Sequence, residues 1–287
     1  MFKFLGSLRS RLKPVIAKIL GQYLNLLALL APSLAAKRAF YIFCKVRKGR
    51  VAKHQQSYLE MARHGLEQVL GHDIQTYFWP GSGPVVLLVH GWESNSFRWK
   101  NLIQLLQESG YAVVAFDAPA HGFSSGKYLH VPLYSACVNH MVQTFKPLSI
   151  VGHSMGGMTA LYYAHEHPNA AVEKIVTIGS PGEFQDIMNE FRRILGFNLR
   201  VLLALDQFIF EKFGFHVHEF SSSRFVENRK QQGLLLHDKH DKIIPFQASE
   251  KVHLAWKNST LIATEGLGHS LNHLSVNQQI VTFLKSH

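Results

Sequence analysis

Cysteine is nearly absent from this 287-residue chain: Cys44 and Cys137 are the only two. They are too few and too far apart for a disulfide framework or a thiolate metal site, so each reads as a small buried apolar side chain. Charged residues are also sparse, at 17% against 47% hydrophobic. That balance implies a large core or contact with lipid. Acidic residues are missing altogether before Glu60, whereas twelve of the 30 Lys and Arg residues lie there. From Glu60 onward 18 basic residues face 19 acidic ones, so the body is close to neutral. No basic groove with interleaved aromatics is visible in it, and a nucleic-acid partner is not expected. There is no internal repeat, no low-complexity tract and no HExxH. Although 18 histidines are present, some in HDKHD, HEH and HVH clusters, no metal-ligand spacing occurs, and neither metal nor cofactor is expected.

What is present begins with a basic, apolar appendage over residues 1–70. Its run PVIAKILGQYLNLLALLA (Pro14 to Ala31) places Lys18, Gln22 and Asn25 on one stripe at about 100° per residue. A membrane span needs about 20 apolar residues, and this run is shorter, interrupted and flanked by cations on both sides. A cleaved signal would explain the basic start and the small residues from Ser33 to Ala36, but Lys18 sits inside the apolar region. The preferred expectation is a helix packed on the body, with residues 1–59 resting on an anionic membrane surface of a cytoplasmic protein. Export or anchoring is the alternative.

Residues 71–287 read as one α/β domain. A helix is expected around Gln55 to Val69 and a strand over Ile74 to Trp79. Apolar runs at Val85 to Val89, Ala112 to Phe116, Leu148 to Val151, Lys174 to Gly179, Leu234 to Asp238 and Ser259 to Thr264 then alternate with helical stretches. Such runs indicate a doubly wound, mostly parallel sheet covered on both faces. Between about 182 and 232 the alternation stops, and nine of the 20 phenylalanines fall there. This segment reads as a helical cap insertion whose apolar faces need a partner, over an acyl or aromatic pocket.

The stretch LSIVGHSMGGM sets Ser154 between a strand and a helix, with Gly152 and Gly156 two residues to either side. A chain reversing this sharply strains the turn residue, lifts its side chain off the sheet edge and leaves no room for Cβ atoms two residues away. A serine hydroxyl needs a base held by a buried acid to become nucleophilic. In HDKHDKIIP, Asp241 lies in the loop after a strand, and in EGLGHSLNH, His269 follows two glycines ahead of the last helix. Asp238 is the competing acid but sits at the strand end; Glu265 and His273 are weaker competitors. The amide of Met155 supplies one oxyanion donor, and HGW at 90–92 supplies a second at Trp92.

With HGW, DAPAHGFSSG (117–126), GHSMGG (152–157), HDKHDKIIP (237–245) and GLGH (266–269), the chain resembles the α/β-hydrolase superfamily. The likeness is to bacterial serine hydrolases of the esterase, lipase and serine-aminopeptidase-like type, and it covers about Thr76 to Leu284. It implies an acyl-enzyme mechanism with Ser154 as nucleophile, His269 as base and Asp241 as orienting acid, the substrate being a carboxylic ester or thioester. Many relatives carry glycine where Ala120 and Asp238 stand here. A serine nucleophile argues against dehalogenase or epoxide hydrolase chemistry. The rival reading is a non-catalytic relative that binds a ligand or associates with membranes on the same scaffold.

Overall fold

The computed structural model describes residues 2–168 and 171–286. The chain opens with helices α1 (Phe2–Leu30), α2 (Pro32–Cys44) and α3 (Lys53–Leu59), then strands β1 (Arg63–Val69), β2 (His72–Trp79) and β3 (Val85–Val89). There follow α4 (Lys100–Glu108), β4 (Ala112–Phe116), α5 (Val131–Phe145), β5 (Ser149–His153), α6 (Met155–Glu166) and β6 (Lys174–Ile178). Helices α7 (Phe184–Leu195), α8 (Leu199–Phe213) and α9 (Ser222–Val226) precede β7 (Gln232–Asp238), α10 (Gln247–Ala255), β8 (Ser259–Thr264) and α11 (Leu274–Lys285). Two compact units divide these elements: one runs to Lys45 and takes in Glu183–Ser221, and the other holds the rest.

The larger unit is a single eight-stranded sheet in the order β1-β2-β4-β3-β5-β6-β7-β8. The first three strands pair antiparallel, and from β4 through β8 every pairing is parallel. Strands β4, β5 and β6 are buried along their whole length, because helices on both faces leave no polar side to alternate with. The carboxyl ends of β3, β5, β7 and β8 share one edge of the sheet, where open α/β sheets place their ligands.

Residues 63–69, expected to be helical, form the edge strand β1 instead. They pair with β2 through a two-residue turn in which Leu70 and Gly71 both have positive φ, 48° and 77°, as such hairpins require. Gly65 weakens a helix there by about 1 kcal/mol, whereas in the strand a Cβ at this position would sit 2.6 Å from Thr76 Oγ1. The appendage therefore ends at Lys45 rather than near residue 70. Beyond it, Val46 N donates to Lys127 O at 3.2 Å, and the Arg50 guanidinium donates to Gly122 O and Ser124 O. Residues 222–232, expected inside the insertion, likewise belong to the sheet unit: Phe225 packs on Tyr162 and His165 of α6, and Ser222 Oγ donates to Pro181 O.

The smaller unit consists of α1, α2, α7 and α8. The Phe-rich insertion finds its partner in the N-terminal helices: Phe40 meets Phe208 and Phe213, and Phe43 meets Phe184 and Phe191, with ring centroids 5.1–6.0 Å apart. Buried Ala35, Ala36 and Ala39 on α2 give α8 a close approach. On α1 a Cβ at Gly21 would overlap Leu195 O, so glycine sets that contact. The polar stripe of α1 serves the C-terminus of α7: Lys18 Nζ donates to Arg193 O at 2.8 Å, Asn25 Nδ2 donates to Gly196 O, and Asn25 Oδ1 accepts from Asn198 N at 2.7 Å. Carbonyls at a helix C-terminus lack intrahelical partners and carry negative partial charge, so a lysine is well placed there. Among the described residues no helix is long and apolar enough to cross a membrane.

Candidate active site

Strand β5 runs directly into α6 through Ser154, whose φ of 51° and ψ of −123° lie outside the ordinary region for a residue with a Cβ, at a cost of about 1–3 kcal/mol. The turn exists because both flanking glycines permit it. A Cβ on Gly152 would lie 2.5 Å from Gly156 O, and one on Gly156 would collide with Val89 O. Ser154 occupies the N-cap position of α6, yet its side chain makes no capping bond. Its Oγ instead lies 3.0 Å from His269 Nε2.

His269 comes from the loop after β8, and its Nδ1 lies 2.7 Å from Asp241 Oδ2. The Asp241 side chain is fully shielded from solvent, and its other oxygen accepts the amides of Ile243 at 2.7 Å and Ile244 at 3.1 Å. One oxygen is thus spent on holding the loop and the other faces the imidazole. With Nδ1–H donating to the carboxylate, Nε2 is left as an acceptor for the serine hydroxyl. Ser154, Asp241 and His269 therefore meet, from three loops on one edge of the sheet.

The competitors lie elsewhere. Glu265 pairs with Lys239 at the surface, and His273 accepts the amide of Ser275 at the start of α11. Asp238 is buried and accepts Thr264 Oγ1, Leu267 N and His240 N at 2.8–2.9 Å. Burial raises its pKa, but these bonds outweigh that effect and hold the carboxyl below its ordinary value. Met155 opens α6, so its amide is among those without an intrahelical partner. Trp92 is half-buried just past β3, with its ring edge-on to His121 at 5.8 Å. The preceding Gly91 presses on the serine: a Cβ there would stand 3.0 Å from Ser154 Cβ.

Several residues support the three: His90 and His153, which the sequence marks as packing residues beside the site, and His237 and Asp117, which were not singled out from it. His237 lies behind Asp241, with Nε2 donating to Ile244 O at 3.0 Å and standing 3.4 Å from Asp241 Oδ2, while Nδ1 accepts from Ser249 Oγ. His153 donates from Nε2 to His269 O at 3.0 Å. His90 donates from Nδ1 to Gly91 O and accepts Ala118 N, and Tyr134 donates its hydroxyl to His90 O. Burial holds His90 at about 4 and pushes His153 well down, the Arg98 guanidinium adding to the effect on His153. Both imidazoles are neutral and brace the loops. Asp117 accepts from Ser96, Tyr77 and Phe123 and ties β4 to the segment after β3; the DAPAHG motif was its only sequence signal. Among the described residues no three His, Cys, Asp or Glu side chains gather as a metal site.

Sheet order, strain at the β5–α6 junction and the loop origins of the three side chains define an α/β-hydrolase fold. The family model for the alpha/beta hydrolase fold matches residues 84–232, and the chain belongs to that family. It is 26% identical over 268 residues to a bifunctional esterase/perhydrolase of Acinetobacter calcoaceticus, covering 75% of this chain and 97% of that protein. It is 36% identical over 124 residues to a serine hydrolase-like protein of Danio rerio, covering 40% of this chain but only 37% of the relative's length. An esterase from Exiguobacterium antarcticum superposes with a TM-score of 0.62 at 19% identity, over 78% of this chain and 100% of the other. At that identity the likeness concerns the fold.

Proposed function

We propose that this chain is a serine hydrolase that cleaves a carboxylic ester or thioester through an acyl-enzyme. The 3.0 Å approach of Ser154 Oγ to His269 Nε2, with Asp241 on the far nitrogen, carries this reading. His269 accepts the serine proton as Oγ attacks the carbonyl carbon. The amides of Trp92 and Met155 receive the developing oxyanion. Collapse of the tetrahedral intermediate expels the alcohol or thiol, which takes the proton from His269. Water then adds by the same route and releases the acid, restoring Ser154. Gly152 and Gly156 keep the elbow tight enough to present Oγ. The esterase named in Acinetobacter, matched over nearly its whole length, supports an ester over a peptide amide.

The cationic N-terminal segment supports a second partner, an anionic membrane surface contacted through residues 1–59, whose twelve Lys and Arg residues are opposed by no acid. The test of the chemistry is a chain-length panel of esters and thioesters, run with the wild type and Ser154→Ala, alongside labelling by a fluorophosphonate. Turnover and labelling are expected of the wild type and of no Ser154→Ala sample. Failure of the wild type to label would leave the scaffold as a binding protein.

A further inference from the structure

The outer face of α1 is largely apolar and uncovered, with Gln22 an exposed polar side chain inside it. Val15, Ile16, Ile19, Tyr23, Leu26, Leu29 and Leu30 expose between 45% and 92% of their surface. At about 100° per residue they fall on one arc spanning roughly 140°. The opposite face is already used: Gly21, Leu24 and Ala28 are buried inside the helical unit. The exposed arc is therefore not a core face awaiting its own chain. It does not stand alone, since Ile194 and Leu199, at the turn that Lys18 and Asn25 grip, are 47% and 53% exposed. Single exposed leucines are ordinary, but a contiguous strip of this length marks an interaction surface.

Two occupants fit an apolar strip, another copy of the helix or a bilayer, and charge decides between them. Pairing two copies would bring together two segments that each hold twelve cations and no acid. An anionic lipid surface neutralises the same charges. Within the helical unit Lys37, Arg38 and Arg200 are exposed and available to headgroups. Long enough but not apolar enough to cross, a helix with one apolar arc lies in the interface, its apolar side chains among the upper acyl chains. Tyr23, on that arc, is a side chain suited to headgroup depth.

We propose that the Val15–Leu30 arc of α1 is a lipid-docking surface that inserts into an anionic membrane leaflet. This rests on the membrane reading given above and deepens it, because adhesion by charge alone would leave the arc in water.

The experiment is partitioning of the full chain onto phosphatidylcholine vesicles with and without phosphatidylserine, at ~0.1 M and ~1 M salt, where the screening length falls from about 10 Å to about 3 Å. Ile19→Asp with Leu26→Asp removes apolar insertion; both side chains are more than half exposed, so folding is expected to survive. Leu30→Gln, at the most exposed position of the arc, serves as a milder variant should the double variant misfold. Wild type is expected to bind phosphatidylserine vesicles and to retain a bound fraction at high salt. The double variant is expected to lose at least about tenfold in partitioning, and Leu30→Gln a measurable part of that, with hydrolysis of a soluble ester unchanged. Binding by the double variant equal to wild type, and abolished by salt, would overturn the docking arc while leaving charge-driven adhesion intact. A wild type that ignores both vesicles would overturn both, and one that instead dimerises through the arc would identify a second copy as the occupant.

Discussion

The Asp238 carboxylate accepts the amide of Leu267 at 2.8 Å, tying the end of β7 to the loop that delivers His269 two residues later. With Thr264 Oγ1 and His240 N as further donors, this buried acid braces the loop without touching the imidazole, and in the proposed mechanism it acts as a positioning residue. Asp238→Gly is expected to lower kcat about 10- to 100-fold with a smaller change in KM, and to cost about 2 kcal/mol of stability from lost charged hydrogen bonds. Asp238→Asn retains acceptor oxygen and should recover part of kcat. Steady-state kinetics of the pair decide it; wild-type kcat in the glycine variant would reduce Asp238 to a loop anchor without influence on the site.

Asp241 contacts the imidazole itself, so its replacement acts on the protonation of His269. In Asp241→Asn the amide keeps the shape, but its NH2 faces Nδ1 and favours the tautomer with hydrogen on Nε2, where it cannot receive the serine proton. A fall in kcat of about 10⁴-fold with KM nearly unchanged is expected. His237, 3.4 Å away and held neutral chiefly by burial, supplies no substitute charge. Retention of more than a tenth of wild-type kcat would move the acid's role elsewhere.

The strained elbow predicts a separation of stability from activity. Ser154→Ala and Ser154→Gly both delete the hydroxyl, but only glycine relieves a φ of 51°. Relief of about 1–3 kcal/mol exceeds the roughly 0.5–1 kcal/mol that glycine loses through the unfolded chain. The glycine variant should therefore be about 1 kcal/mol more stable than the alanine variant, with both inactive. Gly156→Ala, driven into Val89 O, should lose about 3 kcal/mol. Urea melts of the three variants compare these effects directly; equal stability of Ser154→Ala and Ser154→Gly would remove the case for stored strain.

Legibility in the sequence followed how local each signal was. The central parallel strands were readable because burial on both faces makes them short apolar runs, and the loops carrying Ser154 and Asp241 each follow such a run, whereas β8, ahead of His269, is only partly buried. Strand β1 was not readable: its only local cues were Gly65 and the turn at Leu70 and Gly71, weaker than the polar-apolar spacing that resembles a helix. The pairing of Phe40 and Phe43 with phenylalanines more than 140 positions away has no local signature at all. The same is true of Lys18, whose place in an apolar run makes sense only once Arg193 O is beside it. The bracing roles of Asp238, His237 and Asp117 were hidden for a related reason, since each depends on amides from another loop.

Buried neutral histidines set the response of the whole fold to acid. Burial holds His90 at about 4 and, with His90 beside it, His121 at about 3; it also lowers His153 and His237. The same imidazoles in the unfolded chain titrate near ~6.5. Above that value neither state is protonated and stability is at its full level. Between about 6.5 and about 4 the unfolded chain binds protons that the folded chain refuses, so stability falls as pH falls. Each such histidine contributes a slope of about 1.4 kcal/mol per pH unit at most, and several acting together should make the loss steep. Asp238, held low, adds its own loss only further into acid. Thermal melts between about pH 7 and about pH 5 are expected to show Tm dropping by well over ten degrees. A flat Tm across that interval would mean that these imidazoles are protonated inside the fold, and the tautomers assigned to His90 and His153 would then be wrong.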